Sequence, residues 1–406
     1  MAIINKVADT NIIQYVQNQT DSFNKTAFNE VDSVVFAQFT YLNFSRFVSS
    51  SEQNQVWVSI SSLYKAEEFS HMLDLTLYPA SNKNLLEALC ASPRYRDVLI
   101  NFYDEKFDVQ AQEQFCAITF KLPNDELVIG FRGTDSTVIG WKEDFNMLYL
   151  SPVPCQVSAV NYFETVAQKV QGNFHIVGHS KGGNLAVYSS LFANEEAQSR
   201  IINVYDLDGP GFQTKVWEEK NSEEITSKII KISPEGSFIG FILNSPIPIK
   251  VIKSSKIGLF QHETYTWLID GNEFIESDEV TSRVKYVDKT LDELLNNLSI
   301  DQKRLVIDTV FSVISTTNAQ RLSDVMPLII RERETIIKAI KQLDEPTALL
   351  VKDVLKNFMI SYIVPINTNK KEEKAADEKK ERLSFDKIVK TFTEIKQDFN
   401  KSGEEE

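Results

Sequence analysis

The residues best suited to chemistry lie at 178–182, which read GHSKG and match the pattern G-x-S-x-G. An apolar stretch at 174–177 precedes them, and a helix-forming stretch at 185–192 follows. A sharp turn from strand to helix holds a serine in a strained conformation with its hydroxyl exposed, and the helix N-terminus presents backbone N–H groups to a developing oxyanion. The sequence therefore predicts Ser180 as a nucleophile at the end of a strand.

A serine nucleophile of this kind needs a histidine base later in the chain. The chain contains four histidines. His71 precedes the serine in a helical segment, His175 lies within the predicted strand, and the side chain of His179 adjoins Ser180 too closely to reach round to its hydroxyl. His262 is left by elimination as the predicted base.

A carboxylate must orient the base, and three acidic residues satisfy the chain order. Asp206 and Asp208 lie at the end of the strand that follows the serine, and Glu235 lies after the next strand. The carboxyl ends of parallel strands are where α/β sheets place their sites. The residue pattern alone leaves the choice among them open.

The oxyanion needs a second donor from a loop that follows an earlier strand. Residues 130–135 read GFRGTD, and a predicted strand ends there at Phe131 before the chain turns through Gly133. We expect the N–H and the hydroxyl of Thr134 to pair with the N–H of Lys181 as oxyanion donors.

The elements that must position these residues alternate along the middle of the chain. Strands are predicted at 115–122, 127–131, 174–177, 201–207, 229–232, 249–253 and 265–270, and helices at 141–148, 159–170 and 181–193. The first two strands read as a hairpin. Alternation of this kind predicts an α/β fold with a mainly parallel sheet flanked by helices on both faces.

The flanking regions are predicted to be helical. Residues 1–75 are expected to form a helical segment, with one helix over 29–47, that packs on the core at 76–290. Residues 291–365 are expected to form a helical C-terminal appendage, with helices at 291–298, 302–314, 321–343 and 347–363. A charged tail with one short amphipathic helix follows at 366–406. These C-terminal helices carry no histidine, so we expect the chemical step not to need them.

The apolar stretch 238–249 has two possible interpretations. It could be ordinary core, or it could line or cover a site for an acyl chain, with Phe238 and Phe241 as substrate-binding residues.

Composition narrows the class of protein. The 406 residues are 42% hydrophobic and 25% charged, with a net charge of −14. These are globular values, and the negative charge argues against nucleic-acid binding. Three widely spaced cysteines give neither a zinc pattern nor a disulfide framework. The sequence shows no pattern typical of a secretory signal or a membrane-spanning helix. We therefore expect a cytoplasmic protein, and transient contact with a membrane surface remains an alternative.

Several ordered motifs carry a resemblance to a known family. Residues 178–186 (GHSKGGNLA) with 130–135 resemble the class 3 lipase branch of the α/β-hydrolases. The wider pattern resembles a related bacterial family of unknown function and covers about residues 28–275. Its motifs here are FNEVD at 28–32, QFCA at 114–117, GWKEDFNM at 140–147, LDGPGF at 207–212 and QH at 261–262.

The resemblance implies an α/β-hydrolase fold with Ser180 as nucleophile, His262 as base, and Thr134 with Lys181 at the oxyanion hole. Class 3 lipases carry an aspartate after the strand at which this chain has Glu235. The acid is therefore predicted to be Glu235 in preference to Asp208, because the extra methylene of glutamate could bridge a small offset.

The resulting prediction is a serine hydrolase that cleaves an acyl ester or lipid through an acyl-enzyme intermediate, without metal or organic cofactor. Two alternatives remain open. The same triad could serve a thioesterase, an acyltransferase or a peptidase, or the fold could be inactive and act as a binding module. The sequence gives neither the acyl chain length nor the oligomeric state.

Overall fold

A computed structural model describes residues 10–53, 56–74, 76–135, 137–220, 222–282, 284–285 and 298–315. The described α-helices are α1 (Ile12–Asn18), α2 (Glu30–Phe39), α3 (Phe69–Met72), α4 (Pro79–Ala91), α5 (Val138–Asn146), α6 (Pro154–Lys169), α7 (Lys181–Phe192), α8 (Glu195–Ser199), α9 (Thr214–Glu219), α10 (Glu223–Thr226) and α11 (Ile300–Ser315). The described strands are β1 (Val58–Ser59), β2 (Leu99–Asp108), β3 (Glu113–Lys121), β4 (Leu127–Phe131), β5 (Phe174–His179), β6 (Ile201–Leu207), β7 (Ile229–Pro234), β8 (Ile249–Ile252), β9 (Ile269–Asp270) and β10 (Glu273–Phe274). Short 3-10 turns lie at Ile60–Leu63, Ala66–Glu68, Ile239–Phe241, Gly258–His262 and Thr264–Thr266.

Strands β1 to β8 form one sheet whose spatial order follows the chain without a break. Strands β1 to β4 pair antiparallel, and β4 to β8 pair parallel. The predicted α/β-hydrolase fold, with a mainly parallel sheet between helices, is confirmed. The predicted hairpin is the β3–β4 pair, and β9 and β10 form a separate small ribbon.

This unbroken strand order determines which helices cover which face. Crossovers between parallel strands are right-handed, so successive crossovers in one direction place their helices on the same face. One apolar cluster accordingly joins Phe163 of α6 and Leu185 of α7 to the strand residues Ile129 and Ile176. With the crossover helices alone, the other face of the sheet would be exposed to solvent.

The N-terminal helices cover that second face. The other apolar cluster joins Phe36 of α2 and Leu86 of α4 to Val128 and Val177 of the sheet. Neighbouring residues of one strand belong to different clusters because successive side chains of a strand point to opposite faces.

A buried ion pair fixes the N-terminal segment to the loop after α4. The guanidinium of Arg94 donates to Oδ2 of Asp32 at 2.6 Å, and both side chains are fully buried. Arg94 also donates to the backbone carbonyls of Asp21, Thr26 and Ala27. A charge buried with this many partners fixes the path of the chain because each lost bond would leave a buried polar group unsatisfied.

Some predicted elements differ from the observed ones. The long N-terminal helix expected over 29–47 is only the ten-residue α2, and 265–270 is a 3-10 turn followed by the two-residue β9. Strand β2 was not predicted. Its second half is mostly exposed and charged, so it lacks the apolar pattern of a buried strand.

The chain divides into two compact units, Met1–Ile300 and Asp301–Glu406. The predicted helix at 302–314 corresponds to α11. The predicted helices at 321–343 and 347–363 and the tail lie outside the described residues. In the part of the chain that the structure describes, no helix is both long enough and apolar enough to cross a bilayer.

Candidate active site

The predicted site residues follow successive strands at the carboxyl edge of the sheet. Thr134 comes after β4, Ser180 after β5, Asp208 after β6, Glu235 after β7 and His262 after β8. Parallel strands in sequence order bring these loops together at one edge.

Ser180 has a backbone conformation that L-residues rarely adopt. Its φ is 59° and its ψ is −129°, at the junction of β5 and α7. The N–H of Ser180 donates to the carbonyl of Leu207 at 2.9 Å, which holds the turn against β6. A Cβ added to Gly178 would lie 2.0 Å from the carbonyl oxygen of Gly182, so strand and helix can approach this closely only with glycine. This is the strained elbow that a serine nucleophile needs.

His262 is hydrogen-bonded to Asp208. Its Nδ1–H donates to Oδ2 of Asp208 at 2.6 Å, and the carboxylate is fully buried while 23% of the His262 side chain is exposed. The N–H of Gly240 donates to the other carboxylate oxygen at 3.1 Å. Burial raises the pKa of Asp208, but the hydrogen bond and charge of His262, with Ser237, outweigh it and leave the pKa below its usual value. Asp208 therefore stays ionised and fixes the tautomer of His262 with Nε2 unprotonated.

His179, the neighbour of Ser180, holds the backbone of His262. Its Nε2–H donates to the backbone carbonyl of His262 at 2.8 Å, and its Nδ1 accepts from the hydroxyl of Tyr41 at 3.1 Å. Burial, with the nearby His262, lowers the pKa of His179 to about 3. It is therefore neutral at physiological pH. The sequence offered no signal for Tyr41, because the residue comes from the distant end of α2.

Gln261 fixes the rest of the histidine loop. Its backbone carbonyl accepts from Nε1 of the buried Trp267 at 2.8 Å. Its side chain accepts from the N–H of Gly236 at 2.7 Å and donates to the carbonyl of Lys256 at 2.9 Å. The loop that carries His262 is thus tied to β7 and to its own two ends.

Glu235 does not lie against His262, which contradicts the preference drawn from the sequence. Its carboxylate accepts from the hydroxyl of Ser277, and its carbonyl accepts from the N–H of Thr281 at 2.7 Å. Glu235 therefore anchors the segment after β10. The histidine loop returns to the end of β6 instead of β7, so the carboxylate within its reach is Asp208.

Asp206, the other aspartate at the end of β6, has a structural role. Its carboxylate accepts from Nζ of Lys231 at 2.5 Å and from the N–H of Gly209 at 2.9 Å. Asp206 thus holds the turn after β6. The carboxylate of Asp208 does not hold this turn and instead accepts a hydrogen bond from His262.

The loop after β4 lies directly against Ser180. A Cβ added to Gly133 would lie 3.2 Å from Cβ of Ser180 and 2.5 Å from the carbonyl oxygen of His179. Among the described residues, no acceptor takes a hydrogen bond from the N–H of Thr134 or of Lys181. Two backbone donors beside the serine are the arrangement that an oxyanion requires.

The side chain of Lys181 runs away from this loop into the protein. Its Nζ donates to the carbonyl and to Oε1 of Gln114, each at 2.7 Å, and to Oε2 of Glu143 at 3.1 Å. Burial lowers the pKa of Lys181, but Glu143 outweighs it and raises the pKa above its usual value. Glu143 also accepts from the N–H groups of Gln114 and Cys155, so it ties the elbow helix to β3 and α6.

Phe238 and Phe241 lie on either side of Gly240 in the chain and are half-buried. They belong to the turn Ile239–Phe241, which is held on Asp208 through the N–H of Gly240. Neither is part of the two apolar clusters of the core.

No curated protein matches this chain in sequence. Among solved structures, the crystal structure of M37 lipase is 14% identical and aligns with a TM-score of 0.34 over 52% of this chain and 68% of that chain. The model of one protein family matches residues 89–312, a little more than half of the chain. The predicted lipase-like relationship is thereby confirmed, and the chain belongs to the Mbeg1-like family.

Proposed function

We propose that this protein is a serine hydrolase that cleaves an acyl ester with the triad Ser180, His262 and Asp208. The observation that carries the proposal is the joint placement of a strained serine and a histidine–aspartate pair on neighbouring loops at the carboxyl edge of the sheet. A structural turn needs neither the strained serine nor the buried carboxylate held on a partly exposed histidine.

The hydrogen bond between His262 and Asp208 supports the following mechanism. Nδ1 of His262 donates to Asp208, so its Nε2 lone pair accepts the proton of the Ser180 hydroxyl as the oxygen attacks the acyl carbonyl. The N–H groups of Thr134 and Lys181 receive the oxyanion of the tetrahedral intermediate. His262 then returns the proton to the leaving alcohol, and water repeats the sequence on the acyl-enzyme.

We further propose that Phe238 and Phe241 form one wall of the acyl site. Their half-buried rings stand on the turn that is bound to Asp208, and so beside the reacting atoms. An acyl chain placed along them would cover apolar surface that the protein leaves partly open to water.

Labelling with a fluorophosphonate probe tests the function, because only an activated serine reacts at an appreciable rate. We expect the full-length protein to be labelled and both Ser180→Ala and His262→Ala to lose labelling while they stay folded. Ser199→Ala is the matched control, because this exposed serine at the end of α8 makes only a local hydrogen bond. Undiminished labelling of folded Ser180→Ala would refute the assignment.

The bond that is cleaved is a separate question. Matched oxygen-ester, thioester and amide substrates with one acyl chain separate the ester hydrolase from the thioesterase or peptidase, and an added alcohol acceptor reveals acyl transfer. We expect the oxygen ester to be preferred. A folded protein that neither reacts with the probe nor turns over any substrate would be a binding module.

A further inference from the structure

Asp144 is a buried carboxyl group directly beneath the oxyanion loop. It lies near the end of α5, and its Oδ2 is 2.5 Å from Oγ1 of Thr134. Its other oxygen, Oδ1, is buried and has no hydrogen-bond partner in the described part of the chain. An ionised carboxylate with one oxygen left bare in the interior is costly, whereas a neutral acid tolerates this arrangement better.

The charges around Asp144 do not supply a cation for it. Lys181 of α7 faces it, but all of the hydrogen bonds found for that ammonium group go to Gln114 and Glu143. The guanidinium of Arg132 pairs with Glu105 at 2.9 Å and approaches Asp135 at 3.7 Å.

The remaining titratable groups that face Asp144 are acidic or neutral. They are Glu143 on the same helix, Asp135 on the oxyanion loop, Cys155 on α6 and Tyr41 after α2. Burial raises the pKa of Asp144 to about 7, with Glu143 and Asp135 acting in the same direction against Lys181 and Thr134.

We propose that Asp144 takes part as a neutral acid that donates its proton to Oγ1 of Thr134 and so frees the Thr134 hydroxyl hydrogen for the oxyanion. This inference rests on the proposed hydrolase function. Asp144 is a positioning residue in this scheme, because it acts on the substrate only through Thr134.

The packing of Thr134 makes the direction of its hydroxyl depend on Asp144. Its Cγ2 methyl faces α5, where a Cβ added to Gly140 would lie 2.9 Å from it, so the side chain has little room to rotate. A hydroxyl has one hydrogen. When Asp144 is ionised, that hydrogen must point at the carboxylate, and the oxyanion keeps only the two N–H donors.

The consequence is a loss of reactivity at high pH that a serine–histidine pair alone does not produce. As the pH rises through about 7, Asp144 loses its proton and Thr134 stops donating to the oxyanion. Loss of one oxyanion donor lowers the rate by about 10²-fold. The proton stays on Asp144 throughout each turnover, so the reaction itself consumes and releases none there.

The kinetic test is the pH profile of the second-order rate constant for fluorophosphonate labelling of the full-length protein. We expect the wild-type rate to fall on the alkaline side and Asp144→Asn to remove that fall, because an amide N–H donates to Thr134 at every pH. Thr134→Ser should keep the wild-type profile, and Thr134→Val should be slow and lack the alkaline fall. An Asp144→Asn profile with the same alkaline fall would overturn the proposal.

A second measurement does not depend on activity. Infrared difference spectra of the protein with isotope-labelled aspartate report a neutral buried carboxyl group by its C=O stretch. We expect this band below pH 7, and we expect it to shift in Thr134→Val, which removes its hydrogen-bond acceptor. Its absence below pH 7 would overturn the proposal even if the serine is labelled, whereas its presence in an unlabelled protein would refute only the hydrolase function.

Discussion

At the scale of single residues, the path of the histidine loop favours Asp208 as the proposed acid. Asp208 is buried and hydrogen-bonded to His262, whereas Glu235 holds Ser277. We therefore predict that Asp208→Asn lowers kcat by up to about 10⁴-fold, because His262 then loses its tautomer and orientation. Glu235→Gln should leave kcat nearly unchanged. Probe labelling and turnover of one ester measure both.

The melting temperature separates this prediction from simple unfolding. Asp208 also accepts the N–H of Gly240, so some loss of stability is expected. The loss of activity must persist at a temperature at which Asp208→Asn remains folded. An active Asp208→Asn together with an inactive, folded Glu235→Gln would return the acid to Glu235.

A second residue-scale prediction concerns His179 and stability in acid. The folded protein keeps His179 neutral down to a pKa of about 3, whereas the unfolded chain protonates it at its ordinary value. Between those two values the unfolded state binds a proton that the folded state does not. Stability should therefore fall as the pH drops below about 6.5, by up to about 1.4 kcal/mol per pH unit.

Denaturant titrations over that pH window check the prediction. His179→Gln retains a side chain that can hydrogen-bond but does not titrate, so its stability should depend less steeply on pH than that of the wild type. Tyr41→Phe is the matched control. It removes the hydroxyl that meets Nδ1 and should cost about 1–3 kcal/mol, while keeping the acid slope. An equal slope in His179→Gln would contradict the argument.

At the scale of elements, the strand–turn–helix elbow and the β3–β4 hairpin were predictable from the sequence, because each is a local pattern. The apolar run before Ser180 and the glycines around it encode the elbow within ten residues. The proposed triad acid was not predictable in this way. The identity of the proposed acid depends on the path of the loop after β8. Two bonds between residues far apart in the chain hold that path, from His179 to the carbonyl of His262 and from the N–H of Gly236 to Gln261.

The turn Ile239–Phe241 leads to an element-scale prediction. Because the N–H of Gly240 binds Asp208, lifting this turn as a lid would take a hydrogen bond from the proposed acid. We therefore expect a fixed wall. Phe238→Ala and Phe241→Ala should shift the preferred acyl chain length, and the rate should not jump when the substrate passes its solubility limit.

A series of p-nitrophenyl esters of graded chain length measures this preference. Phe107→Ala is a matched control, because Phe107 is an exposed phenylalanine on the antiparallel part of the sheet. A sharp rise in rate above the solubility limit would instead support an opening lid. An unchanged chain-length preference in both wall variants would return the two residues to ordinary packing.

At the scale of the whole molecule, the unreversed strand order makes the N-terminal helices essential to the fold. All crossover helices lie on one face, so α1, α2 and α4 must cover the other. The sequence predicted helices in the N-terminal segment. No local pattern in that segment indicated that one face of the sheet would be uncovered without these helices. In the described part of the chain, Phe274 is the last residue of the two apolar clusters.

Two truncations should therefore behave in opposite ways. A chain that ends at Ile300 keeps every proposed site residue and both apolar clusters, so we expect it to remain soluble and to react with the fluorophosphonate probe at the wild-type rate.

A chain that begins at Thr76 loses α2, whose side chains of Val31, Val34, Val35, Phe36 and Phe39 are fully buried. At about 2 kcal/mol each, these five side chains supply about 10 kcal/mol. That equals the whole stability of an ordinary domain, about 5–15 kcal/mol, so this chain should aggregate or remain unfolded. Soluble, probe-reactive protein from the second truncation would contradict the assignment of the N-terminal helices to the core. Soluble but unreactive protein from the first would mean that residues after Ile300 help to build the site.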